Sequence, residues 1–321
     1  MKITVLSGGV GGARFLRGLR AAAVRDPSVI EPVEITAIVN VGDDMWMSGV
    51  RICPDLDSIM YTLAGQNDEE RGWGRVGESS RVSEELRAYG VGWPWFTLGD
   101  LDLGTHLART SMLRDGLTLS SATARIASRW DLGVRLLPAT NQEVETHVLT
   151  MERTMHFQEW WTRYRAAVPA LSFEYRGAAS SVPAPSVVEA LETADVILIA
   201  PSNPVVSIGP ILAIPGILSA VQAASAPVVG ISPIINGAVV RGMADACLTA
   251  IGVSTSASAV ALHYGSRTSG GLLDGWLVDV SDSPEVELVE ALGIRTRAVP
   301  LWMRDPESSA QVARDALALA R

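Results

Sequence analysis

The chain has 321 residues, 48% of them hydrophobic, so it can bury a large core and is not a disordered polypeptide. Its 35 acidic against 26 basic residues leave a net charge of −9, which excludes a protein whose main affinity comes from neutralising nucleic-acid phosphates. A local basic site for a small anion stays compatible with that balance.

In chain order, residues 3–6 form a short apolar run, S-G-G-V-G-G a glycine turn, and residues 13–24 carry Phe15, Leu16 and Leu19 at helical spacing. A second strand is expected over residues 35–40, so the chain opens as a βαβ unit with parallel strands. Residues 57–129 read as mainly helical, with loops over 65–77 and 90–105, and short strands are expected at 136–138 and 147–151. The runs 195–200 and 227–231 have the near-continuous apolar character of strands covered on both faces. The last third alternates: helices over 243–251, 258–264, 286–292 and 306–319, with strands at 276–280 and 298–301. The expected architecture is α/β: residues 1–321 as one domain built on a Rossmann-like, doubly wound, mainly parallel sheet, with a mainly helical insertion over about 57–170.

No apolar stretch has the length of a membrane span, because 196–217 is interrupted by Pro201, Pro204, Pro210 and Pro215. The N-terminus M-K-I-T-V-L-S-G-G lacks the apolar region of a signal peptide, and Cys53 and Cys247 form neither a C-x-x-C pair nor half of a zinc site. A cytoplasmic protein with two buried thiols is expected.

Four aspartates, Asp43, Asp44, Asp55 and Asp57, lie in V-N-V-G-D-D-M-W-M-S-G-V-R-I-C-P-D-L-D-S after the second strand. Aspartates among Gly, Pro and Ser serve as turn residues or, before an apolar helix, as N-caps. They also suit Mg²⁺, which takes one or two carboxylates and fills its shell with water and phosphate oxygens. The glycine turn, between a strand and a helix, points to an anion site at a helix N-terminus. It is not a P-loop, since no Lys-Ser/Thr follows, nor the dinucleotide fingerprint, since Arg14 stands at the third glycine and Asn40 replaces the ribose-binding acid. P-S-N-P at 201–204 and S-P-I at 232–234 end buried strands, where ligands of open α/β sheets bind, although both also read as plain turns. His106, His147, His156 and His263 have no zinc spacing and no serine sits in a nucleophile elbow. The tryptophan groups W-P-W-F at 93–96 and H-F-Q-E-W-W at 156–161 suit either a planar ligand or the core.

Together, SGGVGGARFLRGL, AIVNVGDDMWMSGVRICPDLDSIMYTL, MHFQEWWTRYR and IAPSNPVVSIGPILAIPGI resemble the 2-phospho-L-lactate transferase family of coenzyme F420 biosynthesis, in its actinobacterial phosphoenolpyruvate-transferring branch. The resemblance implies a Mg²⁺-dependent, often dimeric enzyme. Such an enzyme moves a phosphoenolpyruvyl or 2-phospho-L-lactyl group from a guanosine-diphosphate carrier to the ribityl hydroxyl of the deazaflavin Fo, releasing GMP and forming dehydro-F420-0 or F420-0. It implies that Gly8, Gly9, Gly11, Gly12, Ser202, Asn203 and Ser232 hold the nucleotide phosphates, and that Asp44 and Asp57 bind the metal. Asp57 is then the catalytic neighbour of the attacking hydroxyl, with Asp44, Asp57, Thr97, His156 and Trp160 against Fo. Archaeal members carry a Lys before Leu-Gly-Asp where this chain has Thr97. The alternatives are a non-catalytic nucleotide-sugar-binding regulator of the related gluconeogenesis-factor group, which should lack P-D-L-D and H-F-Q-E-W-W, and a nicotinamide oxidoreductase, disfavoured by Asn40.

Overall fold

The structure, a computed structural model, describes residues 1–25 and 33–321. β1 (Lys2–Ser7) buries five of its six residues, as a strand with both faces covered must. The chain turns directly into α1 (Gly9–Arg25) and returns as β2 (Glu34–Val39), parallel to β1 with Ile3 opposite Ile35. A small antiparallel hairpin follows, β3 (Met45–Met47) and β4 (Val50–Ile52). α2 (Pro54–Ala64) starts at a proline in its first turn, where the missing N–H costs nothing, and ends on Gly65 in the left-handed region.

α3 (Arg81–Ala88), α4 (Asp100–Arg114) and α5 (Leu119–Ala127) complete a helical stretch, and β5 (Arg135–Pro138) rejoins the sheet beside β2. β6 (Glu145–Leu149), β7 (Thr154–His156) and β8 (Ser172–Arg176) then form a separate antiparallel sheet in the order β7-β6-β8. The span 57–170 is therefore helical to Ala127, and beyond it carries the strands β5 to β7 and a π-helical turn at Glu159–Arg163. Glu145–Leu149 alternates buried and half-buried positions, the period of a strand with one covered face.

The second half supplies α6 (Val187–Glu192), β9 (Val196–Ile199), α7 (Gly209–Leu212), α8 (Ile217–Ala223) and β10 (Val228–Ile231). A two-residue hairpin pairs β11 (Ile234–Ile235) with β12 (Ala238–Val239). The chain closes with α9 (Ala244–Ala250), α10 (Ala257–Tyr264), β13 (Gly275–Asp279), α11 (Val286–Glu290), β14 (Arg295–Val299) and α12 (Pro306–Ala320). Among the described residues no single helix is long and apolar enough to cross a membrane.

The central sheet has the order β14-β13-β10-β9-β1-β2-β5, parallel throughout. From β1 the chain moves out through β2 to β5 and comes back on the other side of β1 to lay down β9, β10, β13 and β14. The order reverses at β1 and β9, so the loops leaving their carboxyl ends diverge and open the crevice where ligands of such sheets bind. Two cores cover the two faces: Ile3 and Val5 of β1 pack with α1, α2 and α12, whereas Leu6 packs toward the opposite layer with Ile197, Ile199 and Trp276.

Helix α12, started by a capping box in which Asp305 and Ser308 bond one another's backbone, lies against α1 so closely that a Cβ at Gly18 would be driven into the Ser309 carbonyl. Because that obstacle is backbone, Gly18→Ala is expected to destabilise the fold by about 1–3 kcal/mol. Thermal unfolding should show a Tm about 2–4 °C lower per kcal/mol; an unchanged Tm would mean that the two helices separate at no cost.

Candidate active site

Asn40 follows β2 and is held there by its own N–H, which donates to the Ser7 carbonyl at 3.0 Å. Its side chain is fully buried, and its Nδ2 lies 2.9 Å from Asp55 Oδ2, 3.2 Å from Asp43 Oδ1 and 3.2 Å from the Val206 carbonyl. An amide has two hydrogens for these three acceptors, so at least one oxygen stays short of a donor. Asp55 sits in the first turn of α2 and also accepts from the Gly9 N–H; a Cβ at Gly8 would lie 2.5 Å from Asp55 Oδ2, so only glycine lets the turn close on this carboxylate. Burial pushes the Asp55 carboxyl up to about 6, with the Asn40 amide and the Gly9 N–H opposing it. Burial raises Asp43 further, helped by the Asp55 charge. Neither carboxylate pairs with an arginine or lysine among the described residues.

The other two aspartates each have an arginine within reach. Asp57 forms a bidentate pair with Arg109 of α4, through Nη2–Oδ1 and through Nη1–Oδ2 at 3.0 Å. Arg109 is fully buried and bonds the Arg51 carbonyl and His106 Nδ1 with the same Nη1. His106 lies between Asp57, at 3.5 Å, and Asp102, at 3.2 Å, while the Tyr61 hydroxyl donates to Asp102 at 2.8 Å. Asp57, Asp102 and His106 do bring three ligand atoms within 4.8 Å, but the guanidinium already supplies the positive charge that Asp57 needs. Asp44, buried completely, has Arg51 at 3.5 Å; burial still pushes it up to about 7 because Arg51 offsets only part of that cost.

Asp57 pairs with Arg109 and Asp44 has Arg51 at 3.5 Å, though neither Asp44 oxygen makes a hydrogen bond, and Asp43 and Asp55 have no arginine or lysine partner among the described residues. A divalent cation fits that pair: two buried carboxylates, an over-subscribed amide and a backbone that closes on them are what hard-cation binding asks of a protein.

Gly8, Gly9, Gly11, Gly12, Ser202, Asn203 and Ser232 all gather at the carboxyl ends of β1, β9 and β10. Their local bonds are specific. Ser202 Oγ donates to the Gly8 carbonyl at 2.7 Å and accepts from its N–H, and a Cβ at Gly11 would sit 2.5 Å from the Pro201 carbonyl. Gly12 meets Ser7 and Ser202 as closely, and Gly9 holds φ +62° with Ser207 Oγ 3.9 Å from where a Cβ would lie. Asn203 Oδ1 caps the π-turn Pro204–Ile208, and Ser232 Oγ closes a turn onto Ile234. The glycines dock the turn onto the P-S-N-P loop, and Gly9 at the start of α1 stays accessible for an anion.

Among the residues expected at Fo, Trp160 is a correction. Its ring is fully buried between Phe157 and Phe173 and its N–H donates to the Val168 carbonyl at 2.7 Å, so it is a core side chain. His156 is half-buried beside Trp93, ring centroids 6.2 Å apart, and Trp93 stacks on Trp95 at 4.7 Å. Burial holds His156 down to about 4, so it is neutral at ordinary pH. Thr97 is half-buried in the segment whose Phe96 and Leu98 pack on the β3–β4 hairpin carrying Arg51. Missing from the sequence reading are Asn40 as a bridge, Arg51 and the Asp102–His106–Arg109 row. The i, i+4 and i+3 spacing of that row in D-L-D-L-G-T-H-L-A-R marks one polar face of a helix and was visible there.

The family model of 2-phospho-L-lactate transferase CofD matches residues 3–310. The chain belongs to this family. It is accordingly a transferase of coenzyme F420 biosynthesis. Over its whole length it is similar to proteins named phosphoenolpyruvate transferase. Identity is 55% to that of Streptomyces coelicolor (100% of this chain, 98% of the relative) and 54% to that of Mycolicibacterium smegmatis (100% and 99%). It is 52% to that of Nocardia farcinica (99% and 95%). Among solved structures, a UPF0052-family protein from Bacillus halodurans superposes with a TM-score of 0.62 at 20% identity over 98% of both chains, a likeness of fold.

Asp55 is charged less readily folded than unfolded, where its pKa is about 3.9, so the folded chain holds extra protons from about pH 4 to about 6. Stability without metal should therefore fall as pH rises through that window and stay lower above it. Asp55→Asn is expected to raise the metal-free Tm at pH 8 by several degrees and to abolish the Tm increase that Mg²⁺ gives the wild type; a lower metal-free Tm would refute the uncompensated pair. Arg109→Met, by contrast, strands Asp57 and should cost about 3–5 kcal/mol in denaturant unfolding.

Proposed function

We propose that this transferase moves a phosphoenolpyruvyl group from its guanosine-diphosphate carrier to the terminal ribityl hydroxyl of Fo, releasing GMP and forming dehydro-F420-0. The observation that carries the reading is end-to-end identity of 52–55% to proteins named phosphoenolpyruvate transferase. The uncompensated acid pair against the glycine turn supports it. The 2-phospho-L-lactyl donor, giving F420-0, is the alternative substrate of the same site, after the family's own name.

Asp43 and Asp55 would hold Mg²⁺, which supplies charge neutralisation to phosphoryl oxygens. Every other part of the chemistry falls to the chain itself. The carrier phosphates would approach the glycine turn at the start of α1, where the positive end of the helix favours anions. The acceptor oxygen attacks the phosphorus that bears the phosphoacid, the bond from that phosphorus to the GMP oxygen breaks, and GMP leaves with the electron pair. Such a transfer needs positioning more than a nucleophilic side chain. The Asp57–Arg109 pair holds the first turn of α2, and with it Asp55, in place; Asp57 is a positioning residue in this reading. The stacked Trp93 and Trp95 with neutral His156 offer an aromatic wall to a planar deazaflavin without adding charge.

The test mixes the protein, Fo, Mg²⁺, GTP and a partner guanylyltransferase with phosphoenolpyruvate or 2-phospho-L-lactate and follows products by mass spectrometry. The expected result is dehydro-F420-0 with GMP from phosphoenolpyruvate, lowered roughly 100-fold or more by Asp43→Asn. Product from phospholactate alone would reverse the donor, and no product from either would sink the reading.

A further inference from the structure

Arg14 replaces the glycine that a dinucleotide turn would have, and the chemistry above leaves it unused. It lies on α1 one helical turn before Arg17, so both side chains leave the same face of the helix. That face looks into an open cleft bordered by Val10 of the glycine turn and by Ser58, next to Asp57 on α2. Val10 and Ser58 place the cleft beside the glycine turn and the first turn of α2. Arg241, from the segment between β12 and α9, enters it from the other side. There it presses on Gly72, held at φ +78°, where a Cβ would collide with the guanidinium.

The charges in this cleft do not cancel. Arg71, on the bordering loop, is satisfied by Asp68 at 2.7 Å and Glu78 at 2.9 Å and adds nothing to it. Arg17 pairs with Glu69 at 2.5 Å through Nη1, while its Nε is buried without a partner. Arg14 and Arg241 make no hydrogen bond or ion pair among the described residues. Three guanidinium groups therefore face one carboxylate. Burial, then Arg241 and Arg17, lowers Arg14, with Glu69 opposing them. Folding brings like charges together in this way where something negative is to be bound, since planar guanidinium groups match carboxylates and phosphates in pairs of hydrogen bonds.

We propose that Arg14, Arg17 and Arg241 form an anion subsite that takes a negatively charged group of the transferase's donor, a carboxylate or a diphosphate oxygen reaching out from the glycine turn. The assignment of the anion to the donor rests on the transfer reaction proposed above; the existence of the subsite does not. Arg14 and Arg241 are specificity-determining residues in this account, and Fo lies outside their reach.

The experiment uses the full chain and Arg241→Gln, Arg14→Gln and the charge-keeping Arg241→Lys. Binding of phosphoenolpyruvate, GMP, inorganic pyrophosphate and Fo is measured one at a time by titration calorimetry, with circular dichroism to check folding. The expected result is at least a tenfold loss of anion affinity in both glutamine variants, partial recovery in Arg241→Lys, and unchanged Fo affinity. Loss confined to phosphoenolpyruvate would assign the subsite to the phosphoacid; loss confined to GMP would assign it to the nucleotide phosphate. Variants that are folded and bind every anion as the wild type does would overturn the subsite. In turnover, the glutamine variants should raise the donor KM by the same tenfold or more while the Fo KM stays fixed. A wild type that binds anions through these arginines yet transfers nothing would remove the transfer reading and leave the subsite. Normal turnover with unaltered variants would do the reverse.

Discussion

The amide of Asn40 is the point on which the rest of the site depends. Pairing of β2 with β1 fixes its backbone beside Ser7, and the buried end of the sheet leaves its side chain one place to go, between Asp43 and Asp55. A neutral amide can bridge two carboxylates but cannot neutralise them, so the folded chain carries two buried acids whose charges disfavour one another. Such an arrangement lowers stability in the absence of a cation. Proteins retain local costs of this kind at functional sites, where the missing partner is the ligand.

The contrast with the neighbouring aspartates gives the arrangement its meaning. Asp57, in the first turn of α2, and Asp44, after β2, are as deeply buried, yet each lies near an arginine delivered by another element: Arg109 from α4 and Arg51 from β4. Helix α4 and the β3–β4 hairpin thus bring arginines to Asp57 and Asp44 but none to Asp43 and Asp55. Without Arg109, the first turn of α2 would carry Asp55 and Asp57 both unpaired, and the geometry at the glycine turn would have no anchor.

What the sequence disclosed followed from how local each feature is. The opening βαβ unit, the buried strands of the second half and the glycine turn are set by short-range periodicity and glycine placement, and all lie where their residues predict. The division of labour among four aspartates was not legible, because it is decided by residues far away in the chain: Asn40 and Gly8 on one side, Arg51 and Arg109 on the other. Trp160 reads as well for a ligand platform as for a core, and only the tertiary arrangement of Phe157, Phe173 and the Val168 carbonyl decides for the core. The short strands β5 and β6 fall close to where they are expected, whereas the three-residue β7 and the five-residue β8 are too short for alternation to announce them.

The charge distribution ties these parts together. A chain of net charge −9 repels an anionic nucleotide donor at long range, but in cellular salt that field decays over about 8 Å, so what the donor meets at the crevice is local. At that distance the surface is divided. The arginine cleft presents excess positive charge beside Val10, and the acid pair lies on the other side of the glycine turn, under Gly8. A diphosphate spanning the turn would be drawn by the first and repelled by the second unless a divalent cation intervenes. On the proposed reading, donor and divalent cation would be coupled by electrostatics alone, because each would remove the charge that opposes the other.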